Sequence, residues 1–163
     1  MLFRSSQNIP QELSIEELHY VHHNFAFFFG QANDFARAIA QLLDLLELEL
    51  RNHGKDHGDV LQTRYWIGRY FQESQDFEAA LDVYETLLPD QERVLSENGL
   101  HASYTRFRIA ECLHALGDHT HSKEILSFLV GSLAAADWAI AHPDNKEELE
   151  RLVEQALHTL SEE

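Results

Sequence analysis

The sequence repeats itself at a fixed interval of 42 residues. NDFARAIAQLL begins at Asn33, QDFEAALDVYE at Gln75 and GDHTHSKEILS at Gly117, which places Asp34, Asp76 and Asp118 in register. The same shift superimposes Phe25, Ile67 and Ile109, then Ala26, Gly68 and Ala110, then Phe29, Phe71 and Leu113. It also aligns Ala38 with Ala80 and Ser122, and Leu45 with Leu87 and Leu129. Small positions stay small and large positions stay large, as stacked units require. Within the units apolar residues recur at three and four, as in Phe35, Ile39, Leu42, Leu43, Leu46 and Leu50, with no sustained period-two alternation. That spacing is helical, so the chain reads as all-α.

Each unit reads as two helices joined by a tight link (QAND, SQD or LGD) that permits only an antiparallel hairpin. Repeats of about 15–57, 58–99 and 100–142 make one domain across 1–163, and a capping helix over about 144–161 closes it. Ser14 and Glu17 have the form of a capping box, and Asp34, Asp76 and Asp118 stand where an N-cap is needed. Asp144 and Glu147 read as a second capping box, ahead of an apolar stripe from Leu149 to Leu160. SLAAADWAIAH, residues 132–142, is expected to extend the last hairpin, with Trp138 against the cap. Pro89 falls inside a helix, which predicts a kink or break there and a separate turn over Asp90–Leu95. In GKDHGDVLQTR, Gly54 is expected to end one helix in αL and Asp59 to cap the next. Asp56 and His57 are expected to bond the backbone of the turn.

Twelve Lys+Arg against 28 Asp+Glu leave a formal net charge of −16, which argues against nucleic acid and anionic membrane as partners. No apolar run reaches the length of a membrane span, and the N-terminal segment lacks the apolar stretch of a signal peptide. Cys112, the single cysteine, excludes an internal disulfide and sits among apolar residues in a core pattern. A cytoplasmic protein is the expectation.

A small residue three before a large apolar one, then Asp-aromatic-x-x-Ala, resembles the tetratricopeptide repeat (TPR). The period exceeds the usual 34 and is similar to the longer repeats of kinesin light chains and of actinobacterial regulatory proteins. LLPDQERVL and GKDHGDVLQTR resemble the linking segments of the latter, with Gly58 in place of a proline. His22, Arg64 and Arg106 occupy the position of the usual TPR tryptophan. The resemblance implies a superhelix of three hairpins plus the cap, acting as a protein–protein interaction scaffold with a regulatory or signalling role. In such arrays the first helices line a concave groove. Carried onto this chain, the groove positions are Tyr20, His23, Phe27 and Gly30 in the first repeat. The second offers Gln62, Tyr65, Arg69 and Gln72, and the third Tyr104, Phe107, Glu111 and His114, with Arg108 one step round the helix. Tyr65 and Phe107 read equally well as inter-repeat core.

Aromatic and arginine side chains dominate interface energetics, so the implied partner is a protein or peptide with apolar anchors and a carboxylate. Self-association into a homo-oligomer is the alternative, as is a peptide sensor that flexes at Pro89 and Gly131. No enzyme and no cofactor are expected, because nucleotide-loop and metalloprotease templates are absent. HYVHH places His19, His22 and His23 on one helix face, yet no cysteine or carboxylate follows at ligand spacing. No metal site is expected there, and zinc or nickel should leave thermal stability unchanged. His119 and His121 read as solvated first-turn residues. Glu47, Glu49, Asp82 and Glu85 read as a solvated outer face.

Overall fold

A computed structural model describes residues 13–96, 99–134 and 142–162. Among them are seven helices: α1 (Ile15–Gln31), α2 (Phe35–His53), α3 (Gly58–Glu73), α4 (Phe77–Val94), α5 (Leu100–Ala115), α6 (His119–Ala134) and α7 (Pro143–Glu162). Each helix packs on the next in chain order, and α7 reaches both α6 and α5.

The hairpin turns are built the same way three times. Asn33, Gln75 and Gly117 take positive φ values of 56°, 65° and 85°. Their N–H groups donate to Gly30, Gln72 and His114, and the N–H of the following aspartate donates to Phe29, Phe71 and Leu113 at 2.8–3.0 Å. This pair of bonds is the Schellman closure of a helix end. The same aspartates then cap the next helix. Asp34, Asp76 and Asp118 accept from the N–H of Arg37, Ala79 and His121. One residue ends a helix and starts its partner, which is why a three-residue link suffices.

The in-phase positions form the core. Ala38, Ala80 and Ser122 are at most 1% exposed, and Leu45, Leu87 and Leu129 are fully buried. Burying each leucine contributes about 1.5–3 kcal/mol. The Ser122 hydroxyl donates to the Ala110 carbonyl at 2.8 Å, so a polar group in an alanine slot is satisfied across the hairpin. Gly68 lets α3 approach α4 closely, since a Cβ there would lie 2.5 Å from Tyr84 Cε1.

Several expectations need correction. The helix is not broken at Pro89; α4 runs through it to Val94. Pro89 is exposed, and its missing N–H removes one backbone bond, that to the Glu85 carbonyl, without ending the helix. The turns beyond it are tied by side chains: Arg64 to Asp90 at 2.7 Å and Arg106 to Glu92 at 2.6 Å. Basic residues at the TPR tryptophan position thus anchor the end of α4. Gly54 has φ 79° and ψ 167°, outside αL, and His57 caps α3 by accepting from the Asp59 N–H at 3.3 Å. Asp56 bonds Arg93 of α4 through both carboxylate oxygens, at 2.5 and 2.8 Å, rather than the turn backbone. Asp144 lies in the first turn of α7 behind Pro143, whose missing N–H suits the first helical position. Residues 135–141, including Trp138, lie outside the described residues.

The candidate binding face

The first helices of the hairpins, α1, α3 and α5, carry two adjoining depressions. One, of about 320 Å³, lies between α1 and α3 and is lined by His19, Tyr20, His23, Asn24, Phe27, Gln62, Trp66 and Tyr70. The other, of about 350 Å³, lies between α3 and α5 and is lined by Tyr65, Trp66, Arg69, Tyr104 and Arg108. Trp66 belongs to both and joins them into one strip. A third cavity, of about 420 Å³, opens between α5, α6 and α7, with Gln72 and Glu111 among its lining residues.

Tyr20 is 71% exposed and Phe27 53%, so both rings stand open. Gln62 is exposed. His23, Tyr65, Arg69, Gln72, Tyr104, Arg108 and Glu111 are half-buried. Phe107 differs. At 2% exposed it packs with Leu126, Leu129, Leu133, Leu149 and Val153 between the third hairpin and α7. Its core alternative therefore describes it better than an open groove position. Gly30 faces the Tyr70 ring, which would lie 2.5 Å from a Cβ. His114 approaches His119 with Nδ1 atoms 3.0 Å apart.

The polar groups of the strip are held in place. Arg69 donates to Glu73 and Arg108 to Glu111, each at 2.7 Å. Gln72 also donates to Glu111, at 2.9 Å, and accepts from the buried Tyr84 hydroxyl at 3.3 Å. Burial opposes the charge on Arg108, but Glu111 and Tyr65 outweigh it and hold the guanidinium firmly protonated. Arg69 is likewise opposed by burial and sustained by Glu73. The Tyr104 hydroxyl lies 3.2 Å from Glu148 of α7, which fixes the far wall. Burial, then the neighbouring His19, pushes His23 down to about 4, so its imidazole is neutral at physiological pH. His23 Nε2 lies 3.2 Å from the Thr63 hydroxyl.

Sequence reasoning missed Trp66, Leu100, His101 and Asn145 in the lining. Trp66 was legible: the aligned positions hold Asn24 and Arg108, so a tryptophan in that polar slot is out of pattern. Asn145 comes from α7, outside the repeat, and no register points to it.

No family model and no curated protein match this chain. Solved structures do. The chain is similar to the TPR-like repeats, nearly identical to one another, of a Podosopora anserina protein assigned as a kinesin light chain. The TM-score is 0.61 at 16% identity, over 88% of this chain and 75% of that one. A single-substitution variant of the same protein matches with a TM-score of 0.62 at 15% identity, over 88% and 74%. At such identity the likeness establishes the fold: this chain has the all-α, TPR-like repeat architecture.

Proposed function

We propose that the protein is a non-enzymatic scaffold that seats an extended peptide or a helix of a protein partner along α1, α3 and α5. The supporting observation is the continuous strip across the two depressions, which places two arginines beside Tyr65, Trp66 and Tyr104. Glu73 and Glu111 already pair with the two guanidinium groups, but each arginine has N–H donors beyond that pair, which suit an occupant carrying a carboxylate. Tyr20 and Phe27 at the other end offer the rings that dock an apolar anchor. A regulatory or signalling role in the cytoplasm fits such a scaffold, and no helix of the described residues is long and apolar enough to cross a membrane. Tyr20→Ala and Arg69→Ala should each abolish capture of the partner from the native host, with the melting temperature unchanged. Capture that survives both substitutions contradicts the reading.

Self-association has an observation of its own. Phe25 and Phe28 are 52% and 68% exposed on α1, and neither lines the strip. Molar mass measured by light scattering across a concentration series separates this second reading from the first.

A further inference from the structure

We propose a divalent transition-metal site, of a kind suited to Zn2+, where α1, α2 and the start of α3 meet, with His19, Glu49 and Asp59 as ligands. One donor atom from each of these residues lies within 4.8 Å of the other two. Ligands on a single zinc ion stand about 2.0–2.2 Å from it, hence at most about 4 Å apart. Closing the set requires side-chain shifts that open the His19–Glu49 contact and bring Asp59 in.

Glu49 supplies the independent reason. Expected on a solvated face, it is instead fully buried. Its Oε1 meets His19 Nδ1 at 2.5 Å, while its Oε2 is buried with no hydrogen-bond partner. A buried carboxylate with an unsatisfied oxygen is costly unless a cation compensates it. The contact with His19 answers one oxygen of Glu49 and leaves the other unmet, with the Asp59 carboxylate close by. A divalent ion answers both carboxylates at once. Mixed imidazole and carboxylate donors favour zinc and its transition-metal neighbours over calcium or magnesium.

Asp59 is the one residue through which this set touches further candidate donors. Asp59 also belongs to a second group with His53 and His57, whose donor atoms again lie within 4.8 Å of one another. His57 Nδ1 is 3.5 Å from Asp59 Oδ2, and the His53 and His57 rings stack at 4.2 Å. The sequence hides this arrangement because the ligands are 30 and 10 residues apart in the chain, on three helices. An ion there would tie the first hairpin to the second. This proposal does not rest on the peptide-binding reading, and it reverses the sequence expectation that zinc leaves thermal stability unchanged, because the carboxylate partners of His19 come from α2 and α3 rather than from its own helix.

The test uses the full chain freed of metal with EDTA and then titrated with Zn2+. Calorimetry should show one saturable high-affinity equivalent, and free zinc at about 100 times its Kd should raise the melting temperature by about 5 °C or more. Glu49→Gln and Asp59→Asn should each weaken binding by at least about tenfold, whereas His158→Ala, on the exposed face of α7, should not. Circular dichroism verifies that the variants fold, and Asp59, being half-exposed, tolerates substitution even where Glu49 does not. Cobalt in place of zinc should give a visible ligand-field band in the wild type that Asp59→Asn loses. Absence of saturable binding, or a zinc response retained in either carboxamide variant, overturns the proposal.

Discussion

Helices α1 and α5 occupy the same place in their repeats, yet α1 fully buries only Ala26 while α5 buries eight residues. The difference lies in their neighbours. α5 has α4 on one side and α6 and α7 on the other, whereas among the described residues the principal neighbour of α1 is α2. Phe25 is 52% exposed where its counterparts Ile67 and Ile109 are 3% and 5%. A repeat sequence thus carries the same apolar face throughout, and position in the stack decides whether that face is covered. Where the face is covered it becomes core, and along α1 it stays exposed among the described residues.

Large-to-small substitutions break this comparison most sharply. Phe107→Ala should cost about 3–5 kcal/mol in urea unfolding, because it empties a site enclosed by α5, α6 and α7. Phe27→Ala should cost less than about 0.5 kcal/mol. Equal losses would mean that the open end is not open.

Close packing offers the next contrast. Gly68→Ala should destabilise by about 1–3 kcal/mol, since the Tyr84 ring it strikes is fully buried. Gly30→Ala meets Tyr70 at the same 2.5 Å, but Tyr70 borders the α1–α3 depression and can shift into it. Its loss in the same unfolding experiment should be smaller.

The hairpin turns extend the contrast to equivalent sites. Gly117→Ala forces an alanine into positive φ and should cost about 1–2 kcal/mol, whereas Gln75→Gly relieves the same strain and should be neutral or stabilising. Thermal melts of the two variants check the opposite signs.

The smallest effect concerns pH. Asp118 raises His121 above the ordinary imidazole range by a hydrogen bond at 2.6 Å, and the His121 side chain and N–H together lower Asp118. The raised histidine stabilises the fold below its unfolded pKa, and that contribution fades as pH climbs through the folded value. The lowered aspartate contributes above its unfolded pKa and fades as pH falls through the folded value. Both groups are solvent-exposed, so proton NMR titration of His121 is a better readout than stability. An upward shift that Asp118→Asn removes is the expected result.

The periodicity carried the fold because each buried slot recurs. Ala26, Gly68 and Ala110, or Leu45, Leu87 and Leu129, identify one another without any structure. Cys112 was legible for the same reason: it is fully buried, and burial, reinforced by Glu111, pushes its thiol up to about 12. What escaped the sequence was whatever depends on side-chain contacts between helices. The side-chain anchors that carry α4 through Pro89 bridge helices, as does the pairing of Glu49 with His19. Helical spacing places Glu49 on a helix but cannot say that α1 covers it. The candidate groove residues fall between these cases: register pointed to Arg69, Tyr20 and Tyr104, but only the packing of α7 shows why Phe107 is withdrawn.

Selection of peptides from a random display library, followed by calorimetry on the winners, tests the binding strip most directly. The selected peptides should share an acidic residue and an aromatic or aliphatic anchor. They should lose at least about tenfold in affinity for a variant carrying Arg69→Ala and Arg108→Ala, and that variant should retain the wild-type circular dichroism spectrum. Peptides without an acidic residue, or binding undiminished in the folded double variant, would contradict recognition along α1, α3 and α5.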